Sequence, residues 1–189
     1  MADERSEAGK PEAWERVEEE ECGDFEIFKV RRVRARSPRD GSEHDFHMAV
    51  APHAVTVVAV TPDESLVLVE QFRHPLQRVT LETPAGMMEP GESPAEAAAR
   101  ELREETGYEG RPAQVIGRFE LNPSWQVTRV NVAVVRDARP VAAKDEDAGE
   151  DVRVRLLPAA EVRRRVLAGE FESAVAITAL ALWDLNGRP

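Results

Sequence analysis

The residues of this chain whose types and spacing best suit a reactive or metal-binding site are three glutamates, Glu101, Glu104 and Glu105. At positions i, i+3 and i+4 they share one face if the segment is helical. Like charges this close repel one another, and Arg100, four residues before Glu104, cannot neutralise all three. Clustered carboxylate oxygens are the ligands that Mg²⁺ or Mn²⁺ prefers. The spacing favours a divalent-metal site, with a solvated acidic helix end as the alternative.

Short-range signals around these glutamates predict the helix itself. Ser93, followed by Pro94 and then Glu96, forms a capping box with proline at the first helical position. Strong helix formers, mostly alanine, come next. Gly107 can adopt the left-handed conformation that ends a helix. The sequence therefore predicts a helix between about residues 93 and 107.

The segment from 84 to 108 resembles the signature of the Nudix hydrolase superfamily. The fixed positions of that signature are all present: Gly86, Glu92, Arg100, Glu101, Leu102, Glu104, Glu105 and Gly107. Such a match arises by chance in on the order of one chain in 10⁵ of this composition, which outweighs the solvated helix end. Tyr108 departs from the family, which usually places an aliphatic residue at this packing position.

The resemblance implies a loop–helix–loop that presents glutamates to bound Mg²⁺ or Mn²⁺. Glu101 and Glu105 would be the principal ligands, and Glu104 would assist directly or through water. The backbone carbonyl of Ala85 would complete the coordination. In the same comparison Glu104 and Glu105 are also candidates for catalytic roles.

Four further positions of the signature are expected to support this site rather than react. Arg100 would orient a glutamate, and Glu92 would brace the loop. Gly86 would sit where the backbone turns tightly before the helix, and Gly107 would end it.

The flanking residues resemble one subgroup, the ADP-ribose pyrophosphatases. The run 70–75 contains a Gln-aromatic-Arg sequence that includes Arg73, the run 81–86 contains Glu82, and Pro123 follows Gly107 by sixteen residues. The similarity implies an enzyme that hydrolyses a nucleotide sugar, ADP-ribose, to AMP and ribose 5-phosphate. Arg73 would donate two parallel hydrogen bonds to a phosphate, and Glu82 would reach the metal–phosphate site.

Other assignments fit some of these residues. Without the resemblance, Arg73 is more simply a surface salt bridge. Related sequences also cleave GDP-mannose and other nucleoside diphosphate derivatives, and the residues that select the base are not evident from the sequence. A non-catalytic nucleotide-binding regulator on the same fold predicts eroded glutamates, and none of the glutamates is eroded.

Aromatic residues make up only 5% of the chain, so their placement matters. Trp14 lies in a polar segment and Phe46 in a predicted strand. By resemblance this pair would stack on adenine, and the N-terminal segment would form a homodimer. The alternative places Phe46 in the core with Trp14 packed against the sheet. Trp125 is a rival stacking residue.

The reaction also needs a general base. Glu150 lies before the predicted last strand, where the resemblance places a catalytic glutamate on a loop. Two residues earlier, where some relatives carry that glutamate, this chain has Ala148. Glu150, Glu146 or a glutamate of the signature remain the candidates.

Composition limits the other partners. The chain has 189 residues and a formal net charge of −11, which argues against binding nucleic acid or an anionic membrane surface. The start of the chain has no apolar segment of the signal-peptide type. Cys22 is a single cysteine, so we expect no intrachain disulfide and a cytoplasmic location.

Alternation and turn residues outline the remaining elements. They predict strands at 25–36 and 43–50 in one hairpin, 55–60 and 65–72 in a second, a strand at 126–135, another from Val152, and helices at 159–167 and 173–185. We expect a disordered acidic tail at 1–12, an N-terminal β segment at 13–50 and a Nudix domain at 51–189.

The fold class follows from these elements. Strands and helices interleave without a βαβ series, which predicts an α+β protein. The resemblance implies an α/β/α sandwich around a mixed central sheet, with an additional N-terminal antiparallel hairpin or sheet.

Overall fold

The computed structural model describes residues 10–141 and 151–187. Contacts divide the chain into two compact units, Met1–Ala51 with Asn122–Val127, and Pro52–Leu121 with Thr128–Pro189. The expected tail at 1–12 falls mostly outside the described residues. Residues 10–12 are exposed and belong to no strand or helix.

The elements follow one another along the described chain in this order: β1 Glu15–Asp24, β2 Lys29–Arg36, β3 Glu43–Val50, β4 Ala54–Val60, β5 Ser65–Arg73, β6 Arg78–Glu82, β7 Ala85–Met87, α1 Pro94–Thr106, β8 Tyr108–Glu109, β9 Gln114–Glu120, β10 Gln126–Val127, β11 Arg129–Arg136, β12 Arg139–Pro140, β13 Val152–Pro158, α2 Ala159–Leu167 and α3 Ala174–Leu185.

The first unit is a sheet with the strand order β1-β2-β3-β10. Strands β1, β2 and β3 pair antiparallel, and β10 joins β3 in parallel. The strand β1 is acidic and its neighbour β2 is basic, so ion pairs cross the sheet. Arg32, for example, lies 3.0 Å from Glu20 and 3.2 Å from Asp45. The predicted hairpin between 25–36 and 43–50 is confirmed in its pairing.

The predicted start of the first strand, at residue 25, is wrong, because β2 begins at Lys29. Residues 25–28 form a turn, in which the Phe25 N–H donates to the Phe28 carbonyl at 2.9 Å. Glu26 has a φ of 64°, which is not a strand conformation. Alternation alone does not reveal such a turn.

The second unit contains the larger sheet, with the order β13-β5-β4-β11-β9, and with β6 paired to β5 and β7 to β4. Strands β4 and β11 are parallel, whereas the other pairs are antiparallel. The predicted second hairpin, β4 with β5, and the predicted mixed sheet are both confirmed. Strands β8 and β12 form a separate two-stranded sheet.

Both faces of this sheet are covered. On β4, Val55, Val57 and Ala59 pack with α1, whereas Val58 and Val60 pack on the opposite face with α2 and α3. A strand buried on both faces is apolar throughout rather than alternating, as β4 is. The predicted α/β/α sandwich is therefore confirmed.

One strand prediction was wrong. The segment 126–135, expected as a single strand, divides into β10 in the first sheet and β11 in the second. The apolar positions change phase between Val127 and Val130, which are three residues apart, and the chain passes from one sheet to the other in this interval.

The two C-terminal helices lie where they were predicted. Ser173 caps α3, and its side chain accepts a hydrogen bond from the Ala176 N–H. None of the helices in 10–141 and 151–187 is both long enough and apolar enough to cross a membrane.

Candidate active site

The helix α1 begins and ends with the predicted caps. Ser93 donates its N–H to the Glu96 carboxylate at 2.9 Å, and its hydroxyl accepts from the Glu96 N–H at 3.3 Å. Pro94 occupies the first helical position, and Gly107 ends the helix with a φ of 71°. Each cap satisfies backbone groups that a helix end leaves unpaired. The predicted helix is confirmed.

The three glutamates near the end of α1, Glu101, Glu104 and Glu105, differ in exposure. Glu101 and Glu105 are buried, with 9% and 6% of their surface exposed, whereas the side chain of Glu104 is 44% exposed. Burying a carboxylate is costly unless hydrogen bonds or opposite charges compensate. The partners of Glu101 and Glu105 therefore decide what this face of the helix can do.

Arg100 is the partner that Glu92, Glu101 and Glu104 share. Its Nε and Nη2 donate to both oxygens of Glu92, at 2.9 and 3.0 Å, and Nη2 also donates to the Met87 carbonyl at 3.0 Å. Its Nη1 donates to Glu101 at 2.8 Å and to Glu104 at 2.9 Å. The hydrogen bond to Glu92 contributes most to raising the pKa of Arg100, and Glu101 and Glu104 add to it. Arg100 thus ties the loop before α1 to two glutamates of the helix.

The backbone of β7 lies against Glu101 and Glu105. The Ala85 N–H donates to a carboxylate oxygen of Glu105 at 3.1 Å. A methyl group on Gly86 would overlap the carboxylate of Glu101. Just before this strand, the hydroxyls of Thr83 and Thr56 lie 2.7 Å apart in the core and fix the approach of the chain.

The donor set fits a divalent cation in its chemistry. Two buried carboxylates, Glu101 and Glu105, lie one helical turn apart and both contact the segment Ala85–Gly86. In the described part of the chain, no three His, Cys, Asp or Glu side chains already converge as a ready-made metal cage. Of these two carboxylates, Glu101 pairs with Arg100. Hard oxygen donors of this kind suit Mg²⁺ or Mn²⁺.

Two of the four residues expected to contact the substrate, Arg73 and Glu82, are paired with each other. The Arg73 Nε and Nη2 donate to the two oxygens of Glu82 at 2.8 and 3.0 Å. Burial raises the pKa of Glu82, but hydrogen bonds from Arg73 and Thr80 and the charge of Arg73 outweigh it, so the pKa lies below its usual value. The alternative prediction for Arg73, a salt bridge, is therefore confirmed, and its partner is Glu82, which was itself expected in the site.

A cavity of about 370 Å³ opens beside Arg73, lined by Gln71, Phe72, Arg73, His74, Pro75 and Asp151. Sequence reasoning had singled out only Arg73 among these residues for a substrate contact. The alternation of side chains along β5 could have indicated Gln71 as a second lining residue, because Gln71 and Arg73 lie on the same face of that strand.

The aromatic pair lies in the first sheet and is exposed. The rings of Trp14 and Phe46 are 5.4 Å apart and perpendicular, and Trp14 also contacts the ring of His44 at 5.6 Å. Trp14 is 40% exposed and Phe46 43%. The alternative that buries Phe46 in the core is wrong. Trp125, the rival for stacking, is 52% exposed in the same unit.

Some candidates for the general base lie in the described part of the chain and others do not. Glu150 and Glu146 lie outside the described residues. Of the signature glutamates, Glu104 has the most exposed side chain.

The sequence and fold were compared with known proteins. The NUDIX domain matches residues 50–177. An ADP-ribose pyrophosphatase of Bacillus subtilis is 40% identical over 104 residues, which cover 54% of this chain and 56% of that protein. An ADP-ribose pyrophosphatase of Mycobacterium tuberculosis is 35% identical over 155 residues, 80% of this chain and 73% of that protein. The match to the first of these relatives therefore spans only about half of its length.

A solved structure described as an ADP compounds hydrolase has the same fold. It superimposes with a TM-score of 0.83 and 24% identity, over 96% of this chain and 98% of that one. The predicted resemblance, including the likeness to ADP-ribose pyrophosphatases, is confirmed by these matches. With its signature helix intact and its fold shared, the chain belongs to the Nudix domain family.

Proposed function

We propose that the protein hydrolyses the pyrophosphate bond of ADP-ribose, giving AMP and ribose 5-phosphate, with Mg²⁺ or Mn²⁺ as cofactor. The observation that carries this proposal is the pair of buried carboxylates, Glu101 and Glu105, against the segment Ala85–Gly86. Its similarity to named ADP-ribose pyrophosphatases supports the choice of substrate.

Glu101 and Glu105, with Glu104 and the carbonyl of Ala85, are the groups that would hold the cation. When bound, the cation supplies positive charge that balances the pyrophosphate and polarises its phosphorus–oxygen bonds. Arg100 keeps Glu101 and Glu104 in place through its Nη1, and Glu92 anchors Arg100 from the loop. These supporting contacts let the carboxylates keep one geometry.

Arg73 would donate hydrogen bonds to the pyrophosphate from the mouth of the cavity beside it. The side chain of Arg73 is 41% exposed, whereas that of its partner Glu82 is only 8% exposed. The guanidinium of Arg73 is therefore the outer member of the pair. A planar guanidinium suits two phosphate oxygens better than an ammonium does. Trp14 and Phe46 would stack on adenine from their exposed faces.

A general base would take the proton from the attacking water. Glu104 fits this role among the signature glutamates because its side chain is open to solvent. Glu150 and Glu146 remain the alternatives, together with Glu105. Which of them acts is decided by the pH profiles of the four Glu→Gln variants, since only loss of the base removes the acidic limb.

We also propose a homodimer formed through the N-terminal strands, acting in the cytoplasm. The single Cys22 fits a reducing compartment. Light scattering on the purified chain would give the mass directly, and a monomer at micromolar concentration would contradict the dimer.

The test of the reaction is incubation with ADP-ribose and Mg²⁺ or Mn²⁺, with quantification of AMP and ribose 5-phosphate. Glu105→Gln should reduce the rate by about 100-fold or more, as for loss of a central charged group. Glu161→Gln is the matched control, because Glu161 is also a helical glutamate, but it lies on α2 and pairs there with Arg164 and Arg165. It should retain full activity.

Each other outcome revises a specific part of the proposal. No turnover of ADP-ribose with either metal would reject this substrate, and GMP release from GDP-mannose would then replace it. Tight binding of nucleotide sugars without turnover of any would identify a regulator instead of an enzyme.

A further inference from the structure

Behind Arg73 and Glu82 lies a third side chain, Thr80, which is 3% exposed. Its hydroxyl donates to Glu82 Oε1 at 2.6 Å, and it lies 3.3 Å from the Gln71 carbonyl. Thr80 and Glu82 are two residues apart on β6, so both point to the same face. A buried hydroxyl is thus joined to the carboxylate that contacts the exposed guanidinium.

The register of the hairpin explains why the three side chains meet. Strand β5 pairs with β6 so that Gln71 faces Thr80 and Arg73 faces Arg78. To reach Glu82, the Arg73 side chain runs diagonally back across the position of Thr80. The order from core to surface is Thr80, then Glu82, then Arg73.

The two oxygens of Glu82 are held by different donors. Oε1 accepts from the Thr80 hydroxyl and from Arg73 Nε, and Oε2 accepts from Arg73 Nη2. Arg78 of the same hairpin pairs with Glu172, next to the N-cap of α3. The orientation of the Glu82 carboxylate therefore depends on Thr80 on one side and Arg73 on the other.

We propose that Thr80 is a positioning residue: it fixes the carboxylate of Glu82, and through it the guanidinium of Arg73, in the orientation that meets the substrate's pyrophosphate. The proposal rests on the proposed function for its substrate, but the orientation of Arg73 is a property of the free protein. A guanidinium forks onto phosphate only in a limited set of planes, so orientation matters as much as charge. Thr80 acts without touching the substrate.

The variants are Thr80→Val, which removes the hydroxyl but keeps the branched shape, and Thr80→Ser, which keeps the hydroxyl. Thr61→Val is the matched control. Thr61 is also a buried threonine whose hydroxyl contacts a carboxylate, that of Asp63. It lies just before the start of β5, whereas Arg73 lies at the end of that strand.

Two readouts separate positioning from general stability. The KM for ADP-ribose should rise about 5- to 10-fold in Thr80→Val while kcat changes less than about threefold, because Arg73 binds ground and transition states alike. Thr80→Ser should stay within about twofold of wild type, and Thr61→Val should leave KM unchanged even if it lowers Tm. The second readout is the ¹H–¹⁵N signal of Arg73 Nε, assigned by its loss in Arg73→Lys. It should be slow to exchange in wild type and in Thr80→Ser, and fast in Thr80→Val.

The two readouts also separate failure of this inference from failure of the proposed function. An Arg73 Nε signal that does not change in Thr80→Val overturns the inference, whatever the substrate. A changed signal with an unchanged KM overturns the link to the substrate. If wild type does not hydrolyse ADP-ribose but the signal responds to Thr80→Val, the proposed substrate is wrong and the positioning of Arg73 by Thr80 stands.

Discussion

The carboxylate of Glu101 lies directly against the Cα of Gly86, so closely that no side chain fits between them. Glycine is therefore needed at this position for close contact and not for an unusual backbone conformation. Within residues 10–141 and 151–187, the glycines with a positive φ are Gly41, Gly91, Gly107, Gly169 and Gly187, and Gly86 is not among them. The loop and the helix of the candidate site are fitted to each other at this point.

We predict that Gly86→Ala displaces the carboxylate of Glu101 and lowers kcat/KM by about 10- to 100-fold, the usual cost of disturbing groups that support a metal site. The apparent affinity for Mn²⁺, followed by titration of activity, should fall in parallel. Gly169→Ala is the control: no atom lies within 4 Å of its added methyl group, and its φ of 75° makes the change strained. It should lower Tm but preserve kcat/KM. Full activity in Gly86→Ala would show that Glu101 does not need its observed position.

Arg100→Lys keeps the positive charge but removes the fork that joins Glu92, Glu101 and Glu104. We expect the free energy of unfolding to fall by about 1–3 kcal/mol, because partly buried carboxylates lose charged hydrogen bonds. Urea denaturation in the absence of divalent metal measures this. Arg103→Lys is the control on the same helix, since Arg103 is 63% exposed and its only described ion pair, with Glu109, is 3.5 Å long. Equal losses in both variants would contradict the role assigned to Arg100.

These two predictions concern a region that the sequence describes well. The helix α1 is encoded locally: Ser93, Pro94 and Glu96 act within one turn, and Gly107 acts at the other end. Chemistry confined to a few neighbouring residues is visible without any knowledge of the tertiary structure.

Features that depend on distant partners were predicted only coarsely: the expected β segment at 13–50 includes β1, but neither its bounds nor its partners were predicted. Strand β1 consists largely of glutamates, and its strand character comes from arginines of β2, such as Arg31 and Arg36, that pair with it across the sheet. The pairing of Arg73 with Glu82 likewise depends on the register of β5 with β6. Register is set by the packing of the whole sheet, and residue types alone leave it open.

The pH dependence of stability should change in Glu82→Gln. The pKa of Glu82 is lowered in the folded state, because the hydrogen bonds and the charge of Arg73 outweigh the effect of burial. A carboxyl group with a lowered folded pKa stabilises the protein above its unfolded pKa of about 4.3, and the stabilisation is lost as the pH falls through the folded value. Wild type should therefore exceed the variant in Tm most clearly above about pH 5, with the gap closing toward pH 3. A gap that stays constant from pH 7 to pH 3 would contradict the lowered pKa.

Replacing the exposed aromatic residues should separate the rival stacking surfaces. We expect Trp14→Ala and Phe46→Ala each to raise the KM for ADP-ribose by about tenfold, the cost of one lost stacking contact. Both side chains are already exposed, so Tm should change little. Trp125→Ala should leave KM within about twofold. The reverse pattern, in which only Trp125→Ala raises KM, would assign the base to Trp125.

The pairing of residues 122–127 with the first sheet has a consequence for engineering this protein. The chain leaves the second unit after Leu121, contributes β10 to the first sheet and returns at Thr128. A truncated gene starting at Pro52 would leave Gln126 and Val127 without the strand that they pair with. Removing the N-terminal sheet alone would therefore leave a strand unpaired, and exchanging it for that of a homologue calls for exchanging residues 122–127 with it.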